Sequence, residues 1–381
     1  MHTPSTAAAT PSAAASPRPA GPALRPFGIL RFILAVLVMV HHFGLDLAPA
    51  WAHAWTARLA PGDLAVTVFF ALSGFIILEA VNFFYARRPL PFLANRALRI
   101  LPQFFAALIV AVLAFAALWS LGILRSVDGT ALGPAVFSAK NIAANALSVI
   151  PLSGRFGPAV EYLYLWPVWS LRVELVFYLA VFASLAFAAR YRAGARYAAA
   201  LDWTLAALAL AGMAAAVFVI AAGAESSAQF APYFVFGGTV FLSAREGGSR
   251  KGRVALAMAL LCVPLMLWQM WSYNSFIHLD FGRSHAGQVA LHGGLLAAFV
   301  WLAVWSRRAP GWWDRRLGDL AYPLFLNHLT MGAVMRSAGA DDTLIGALAA
   351  MALSVALALV MERTVEPAIK SLRDRWRGVA I

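Results

Sequence analysis

The stretch LAVTVFFALSGFIILEAVNFF occupies residues 64–84 and carries a single charged residue, Glu79. A helix needs about 20 consecutive apolar residues to cross the roughly 30 Å hydrocarbon core of a bilayer. A run this long and this poor in charge therefore predicts a membrane-spanning helix. The Ser73-Gly74 pair inside it is typical of small-residue packing between such helices.

Nine further apolar stretches resemble it, which gives ten predicted spans: 27–45, 64–84, 101–124, 163–187, 202–222, 229–243, 254–272, 287–305, 318–337 and 343–364. The weakest is 229–243, which is short and contains Pro232 and the Gly237-Gly238 pair. We expect a kinked or tilted helix there. The predicted fold class is an all-α polytopic membrane protein with about ten transmembrane helices.

The composition of the 381 residues agrees, because 62% are hydrophobic, 12% are charged and the mean hydropathy is +0.74. An ordinary soluble domain carries roughly 25% charged residues, so a water-soluble globule is excluded. The net charge of +13 does not indicate nucleic-acid binding, since the basic residues form short clusters between apolar stretches. The single Cys262 excludes an internal disulfide and a cysteine-based metal cluster, and its apolar surroundings indicate packing.

Most Lys and Arg residues fall in alternate loops, and the positive-inside rule then places both termini in the cytoplasm. Residues 1–24 read as a disordered tail, rich in Ala, Pro, Ser and Thr. The first apolar segment has no small-residue cleavage site after it, so it should stay as a helix rather than act as a signal peptide. Residues 25–366 form the predicted transmembrane domain, and 367–381 a basic cytoplasmic tail. The longest loop, about 125–162, is expected on the outer side.

Ionisable residues inside predicted spans are functional candidates, because the bilayer makes them costly. Arg31 and His42 stand eleven residues apart, which puts them on one helix face about 16 Å apart along the axis. His41 points about 100° away and is the weaker candidate. The alternative is a snorkelling arginine and a histidine satisfied by a neighbouring helix. The remaining intramembrane candidates are Glu79, Arg172, Glu174, His292 and His328.

Arg96 and Arg99 lie three residues apart at the start of the third span, so they share a face and could converge on a phosphate. The alternative is a topological anchor, the interpretation we prefer for Arg87 and Arg88. Glu174 lies one turn before Tyr178 on the same face, whereas Arg172 lies about 200° away. Glu174 therefore needs a cation or proton from another helix, either in a structural pair or in a site.

His328 lies about 15 Å from the inner end of the ninth span. Alone it would more often be a satisfied core histidine. The sequence as a whole, however, resembles the integral membrane acyltransferases of family 3. Five segments carry the resemblance in order: Arg31-x10-His42, Val68 to Ile77, Arg96-x2-Arg99 with Pro102, Trp169 through Glu174 to Tyr178, and Leu317-Gly318 through Tyr322 to His328. The chain departs from the family pattern at Thr67, Arg172 and Asn327, so acceptor preference is not carried over.

The resemblance implies transfer of an acyl group, often acetyl or succinyl, from acyl-CoA to a hydroxyl of a sugar or similar acceptor. It makes 25–366 an acyltransferase 3 domain in the inner membrane. Arg31 and His42 match the required first-helix pair, Arg96 and Arg99 match the inner arginine pair, and Glu174 and His328 match further motif positions.

These matches give a mechanistic hypothesis in which the arginines hold the CoA phosphates and His42 is the general base. We expect no permanently bound cofactor and no metal, since the sequence has no close-spaced motif such as H-E-x-x-H. Acyl-CoA is then a donor substrate, and the lipid bilayer and a hydroxyl acceptor are partners. A homo-oligomer remains open.

Three other classes compete with this interpretation. A proton-coupled secondary transporter also has buried His, Glu and Arg, but such folds usually show an internal repeat, which we do not find between residues 27–187 and 202–364. A different multispan acyltransferase class with an intramembrane histidine lacks the Arg31-x10-His42 pattern. A scaffolding membrane protein has no evident reason to hold these buried charges.

Overall fold

The computed structural model describes residues 26–151, 161–192, 194–224, 226–272, 285–306 and 311–377. Within these ranges the chain is helical and has no strand, which confirms the all-α prediction. The twelve α-helices are α1 Gly28–Asp46, α2 Ala50–Leu59, α3 Pro61–Phe83, α4 Pro89–Ser120, α5 Ala139–Leu147, α6 Val168–Ala188, α7 Ala195–Ala221, α8 Ala231–Glu246, α9 Arg250–Trp271, α10 His285–Val304, α11 Trp312–Ser337 and α12 Leu344–Arg377. Residues 1–24, predicted as a tail, lie outside the described residues.

Each of the ten predicted spans overlaps one helix, and eight described stretches are long and apolar enough to cross a membrane. The two that fall short are α8, with 16 residues, and α11, whose apolar part is interrupted by polar residues such as Asn327 and His328. The count of ten crossings and the cytoplasmic termini stay predictions. Helix α12 runs on to Arg377, so most of the predicted basic tail is helical. Helices α2 and α5 were not predicted, because neither is long enough to give a span signal.

Exposed tryptophans mark both ends of the helix bundle. One group lies at the ends of α4 and α9 and before α6, and the other lies near the end of α10, the start of α11 and the end of α12. The first group is Trp119, Trp166 and Trp271, and the second is Trp305, Trp312, Trp313 and Trp376. Tryptophan is enriched at both membrane–water interfaces because its ring is amphipathic. The position of the two groups at opposite ends of the bundle is what a membrane-spanning bundle is expected to show.

Helices α1 and α11 are the pair that positions the polar residues. They run parallel and stay in contact along their lengths. At one end the Ile29 amide donates to Asp314 Oδ1 at 2.9 Å, and at the other an Arg336 guanidinium nitrogen donates to the Asp46 carbonyl. The ends approach closely because Gly28 has no side chain: a Cβ there would collide with the Asp314 backbone. Helix α3 packs on α1, and α12 packs on α11.

Helices α3 and α8 also pack at backbone distance, and glycines on both sides make this possible. A Cβ on Gly74 would collide with the Phe234 carbonyl, and a Cβ on Gly237 would collide with the Ala71 carbonyl. The glycine pair that predicted a kink in the sixth span therefore serves as a packing surface. It holds the Ser73 segment of α3 in place.

We expect the Gly237→Ala variant to unfold at a lower temperature in detergent, since overpacking a tight contact costs about 1–3 kcal/mol. The matched control is Gly293→Ala, in α10, where a Cβ would have no other atom within 4 Å of it. Alanine favours helix over glycine, so this control should unfold at the same or a slightly higher temperature. Equal midpoints for the two variants would contradict the packing role.

The segment between α4 and α6 covers the end of the α1–α11 pair. Arg336 Nε donates to the Val127 carbonyl at 3.1 Å, and Arg336 Nη1 contacts Asp341 at 3.0 Å. Hydrogen bonds from the Ser126 hydroxyl and the Thr130 amide hold the pKa of Asp128 below its usual value. This segment belongs to the loop predicted on the outer side; residues 152–160 of that loop lie outside the described residues.

Candidate active site

A cavity of about 90 Å³ lies between α1, α3, α4, α6 and α11. Its polar lining side chains come from all five helices: Arg31, Ser73, Arg99, Ser170, Glu174 and Tyr322. Three of these, Arg31, Arg99 and Glu174, are residues that the sequence singled out separately. With Ser73 and Tyr322 included, the fold brings members of all five segments quoted above to one place.

Arg31 and Arg99 give the cavity its positive charge. Within the described part of the chain, no carboxylate forms an ion pair with either guanidinium. The Nε atom of Arg31 is buried and has no hydrogen-bond partner. An unpaired buried guanidinium is costly, and its donors fit phosphate and carboxylate groups in particular. The pair therefore forms a candidate anion site.

Gly318 of α11 makes room for the Arg31 side chain. A Cβ at this position would lie 2.6 Å from Arg31 Nη2 and 2.8 Å from the Gly28 Cα atom. Only glycine allows α11 to approach α1 this closely with the guanidinium between them. The segment that begins at Leu317 therefore packs directly against Arg31 of α1.

Glu174 forms hydrogen bonds with two hydroxyl groups. The Ser73 hydroxyl donates to Glu174 Oε1 at 2.7 Å, and the Tyr178 hydroxyl donates to the same oxygen. Glu174 was predicted to need a cation or a proton from another helix; in the structure Ser73 of α3 supplies a hydrogen bond to it. Arg172 is not a partner of Glu174 in the described hydrogen bonds and ion pairs.

Arg96 lies apart from the cavity that Arg99 lines. Its guanidinium carbon lies 5.8 Å from the Phe92 ring centroid and 6.0 Å from the Tyr178 ring centroid, and the residue is buried. The two arginines were expected to converge on one ligand. Instead, Arg99 shares its cavity with Arg31, while Arg96 packs against aromatic rings on the far side of Tyr178.

His42 and His328 meet further along the α1–α11 pair. Their ring centroids are 5.2 Å apart, with the planes tilted by 32°. His328 is fully buried, and its Nδ1 lies 2.9 Å from the Phe325 carbonyl oxygen. Phe325 itself lines the cavity. The Phe325 ring centroid lies 6.3 Å from that of His328, so this residue links the arginine cavity to the histidine pair.

A family comparison bears on this arrangement. The acyltransferase domain family, Acyl_transf_3, matches residues 27–363, nearly the whole chain. The chain belongs to the acyltransferase 3 family. No curated protein and no solved structure gives a significant match. Membership identifies the protein as a multi-pass membrane O-acyltransferase, an enzyme that transfers groups other than aminoacyl groups.

In this acyltransferase the other intramembrane histidines have protein partners. His41 Nε2 lies 3.8 Å from an Asp63 carboxylate oxygen, and His292 Nε2 lies 3.1 Å from the Thr67 hydroxyl. His41 and His42 project from neighbouring positions, with ring centroids 5.2 Å apart. His41 and His292 thus lie beside the candidate site but do not line its cavity.

Two residues of the candidate site were not predicted from the sequence. Ser73 was interpreted as a packing residue, although its hydroxyl faces Glu174. Phe325 gave no signal of its own, because an aromatic residue in an apolar helix is ordinary. The Leu317 to His328 motif contained the needed hint, since Gly318, Tyr322 and Phe325 follow one another at helical spacing on the way to His328.

Proposed function

We propose that this acyltransferase moves an acyl group of the acetyl or succinyl class from acyl-CoA to a hydroxyl of a carbohydrate or similar acceptor. The observation that carries the proposal is the order of the side chains along α1 and α11. Arg31 and Arg99, which form no ion pair with a carboxylate in the described chain, line one cavity, and the His42–His328 pair lies about three helical turns further on. Such an order suits a donor that is anionic at one end and reactive at the other.

We assign the donor's phosphates to Arg31 and Arg99 because both side chains line the cavity and neither forms an ion pair with a carboxylate in the described chain. The cavity, at about 90 Å³, is smaller than the roughly 300–1,000 Å³ of common small-molecule sites. In this proposal the nucleotide part of acyl-CoA stays at the cytoplasmic rim of the cavity, and only the narrow acyl-bearing arm enters the cavity. The arm follows α1 for about 16 Å to reach His42.

His42 is the proposed general base. It removes the proton of the acceptor hydroxyl, the oxygen attacks the thioester carbonyl carbon, and the carbon–sulfur bond breaks. The same imidazole then gives its proton to the sulfur, which leaves as free CoA thiol. Histidine suits both steps because a neutral imidazole accepts a proton at one nitrogen and the imidazolium that forms can donate it again. Arg96 and Glu174 have supporting roles in this proposal. Arg96 packs on the Tyr178 ring, and Glu174 accepts a hydrogen bond from Ser73 of α3.

The function is tested in cells that naturally carry the chain. Deleting the gene should remove a base-labile acyl ester from one surface glycan or small hydroxylated molecule, and restoring it should return the ester. We place the enzyme in the inner membrane, where it meets cytoplasmic acyl-CoA. In proteoliposomes without acyl-CoA, the protein should show no substrate flux; flux coupled to protons would instead support a secondary transporter.

A further inference from the structure

We infer that His328 is a positioning residue for His42: its buried Nε2 accepts a hydrogen bond from one nitrogen of the His42 ring while the other nitrogen takes the proton of the acceptor hydroxyl. This assignment rests on the proposed function of His42. It gives a role to a motif histidine that the reaction described above does not use.

The first step is the tautomer of His328. Its Nδ1 lies 2.9 Å from the Phe325 carbonyl oxygen, three residues back on the same helix. A carbonyl oxygen only accepts hydrogen bonds, so Nδ1 carries the hydrogen. A neutral imidazole has one N–H, and the Nε2 atom is therefore left with a lone pair.

The second step is that this lone pair has no partner. His328 Nε2 is buried and forms no hydrogen bond, in a residue with no exposed surface. A buried polar atom without a partner costs about 1–3 kcal/mol. Such an atom is rare in native proteins and often marks a functional site. The Nε2 lone pair of His328 is therefore available to a hydrogen-bond donor.

The third step is the identity of the donor. The His42 ring lies 5.2 Å from the His328 ring, centroid to centroid, and the two planes are close to parallel rather than perpendicular. Catalytic hydrogen bonds are often long without substrate and shorten when it binds. A rotation of the His42 ring would bring one of its N–H groups to the His328 lone pair.

His41, the other neighbour of the His42 ring, fits this role less well. The His41 ring lies almost perpendicular to His42, with an interplanar angle of 73°, and its Nε2 atom is turned toward Asp63 at 3.8 Å. No carbonyl in the described chain fixes the His41 tautomer. In His328, by contrast, the bond from Nδ1 to the Phe325 carbonyl keeps Nε2 as a hydrogen-bond acceptor.

The consequence for the reaction is an oriented base. When His42 takes the hydroxyl proton, its ring carries both hydrogens, and the one that points to His328 is held by the Nε2 lone pair. The proton passes from His42 to the thiolate, and His328 returns to its starting state unchanged. An acceptor behind a catalytic histidine fixes its tautomer and orientation and stabilises the imidazolium.

The test compares two substitutions in membranes that supply the native acceptor, with acetyl-CoA as donor. His328→Phe keeps a ring and removes the lone pair, whereas His328→Gln keeps an acceptor oxygen. We expect His328→Phe to lower kcat about tenfold or more with the KM for acetyl-CoA unchanged, as for other supports of a functional histidine. His328→Gln should recover most of the loss. His292→Phe, at another buried histidine, is the control for folding and expression.

Wild-type kcat in His328→Phe, or equal losses in the Phe and Gln variants, would overturn the assignment. A second measurement does not depend on activity: ¹⁵N-histidine NMR of the wild-type protein, with the His328 signal assigned from the His328→Phe spectrum. We expect a hydrogen on Nδ1 and a bare Nε2; a hydrogen on Nε2 contradicts the proposal. Failure of the wild type to transfer an acyl group from either acetyl-CoA or succinyl-CoA would instead overturn the proposed function.

Discussion

The His42→Gln variant is expected to transfer acyl groups from acetyl-CoA about 10²- to 10⁴-fold more slowly than the wild type, the range in which a positioned general base contributes. Glutamine is close in size and keeps hydrogen-bonding capacity, but it cannot take up a proton at neutral pH. The loss should appear in kcat, because the anion site at Arg31 and Arg99 remains intact. The rate is measured as labelled ester formed in membranes with matched amounts of protein.

The control for this variant is His292→Gln, which alters another buried histidine that bonds to Thr67 rather than lining the site. It should keep its transfer rate within about twofold of the wild type, as expected of a change that leaves the reacting groups in place. A wild-type rate in His42→Gln would remove His42 from the reaction and leave it as a packed membrane histidine.

Removing either cavity arginine should raise the KM for acetyl-CoA. A hydrogen bond to a charged group contributes about 1.5–3 kcal/mol, which corresponds to roughly 10- to 150-fold in affinity. We expect this range for Arg31→Ala and for Arg99→Ala. The Arg31→Ala/Arg99→Ala double variant should be weaker than either, because both guanidiniums face the same cavity. Initial rates over a range of acetyl-CoA concentrations give the KM.

Two further variants test whether a rise in KM reflects loss of the anion site or only loss of positive charge anywhere on the protein. Arg250→Ala removes an exposed arginine at the start of α9 and should leave the KM unchanged. Arg96→Ala should lower the unfolding temperature, because Arg96 packs against the Phe92 and Tyr178 rings. Its KM for acetyl-CoA should stay close to that of the wild type. An unchanged KM in both cavity variants would leave Arg31 and Arg99 as topological anchors.

The helices were predictable from sequence because the membrane imposes a simple rule. A lipid-exposed backbone must satisfy its own hydrogen bonds, so long apolar runs become helices. The same rule made the buried charges visible, and Arg31, Glu174, His42 and His328 were all found in this way. Helical periodicity also predicted a contact within one helix. Glu174 and Tyr178 were placed on the same face, and their side chains form a hydrogen bond in the structure.

Contacts between helices were not predictable in the same way, because they depend on which faces meet. Arg96 and Arg99 share a face by spacing, yet Arg96 faces aromatic rings and Arg99 faces the cavity. Ser73 became a partner of Glu174 only through the packing of α3 beside α6. No single-sequence pattern encodes such pairs, because the two residues lie far apart in the chain and on different helices.

Acyl transfer by the purified protein tests the central claim most directly. The wild-type protein is reconstituted into liposomes with its native acceptor and given acetyl-CoA labelled in the acetyl group. We predict that a base-labile ester forms on the acceptor and that one free CoA thiol appears for each ester. No ester and no thiol release, in protein that is folded and binds acetyl-CoA, would contradict the account.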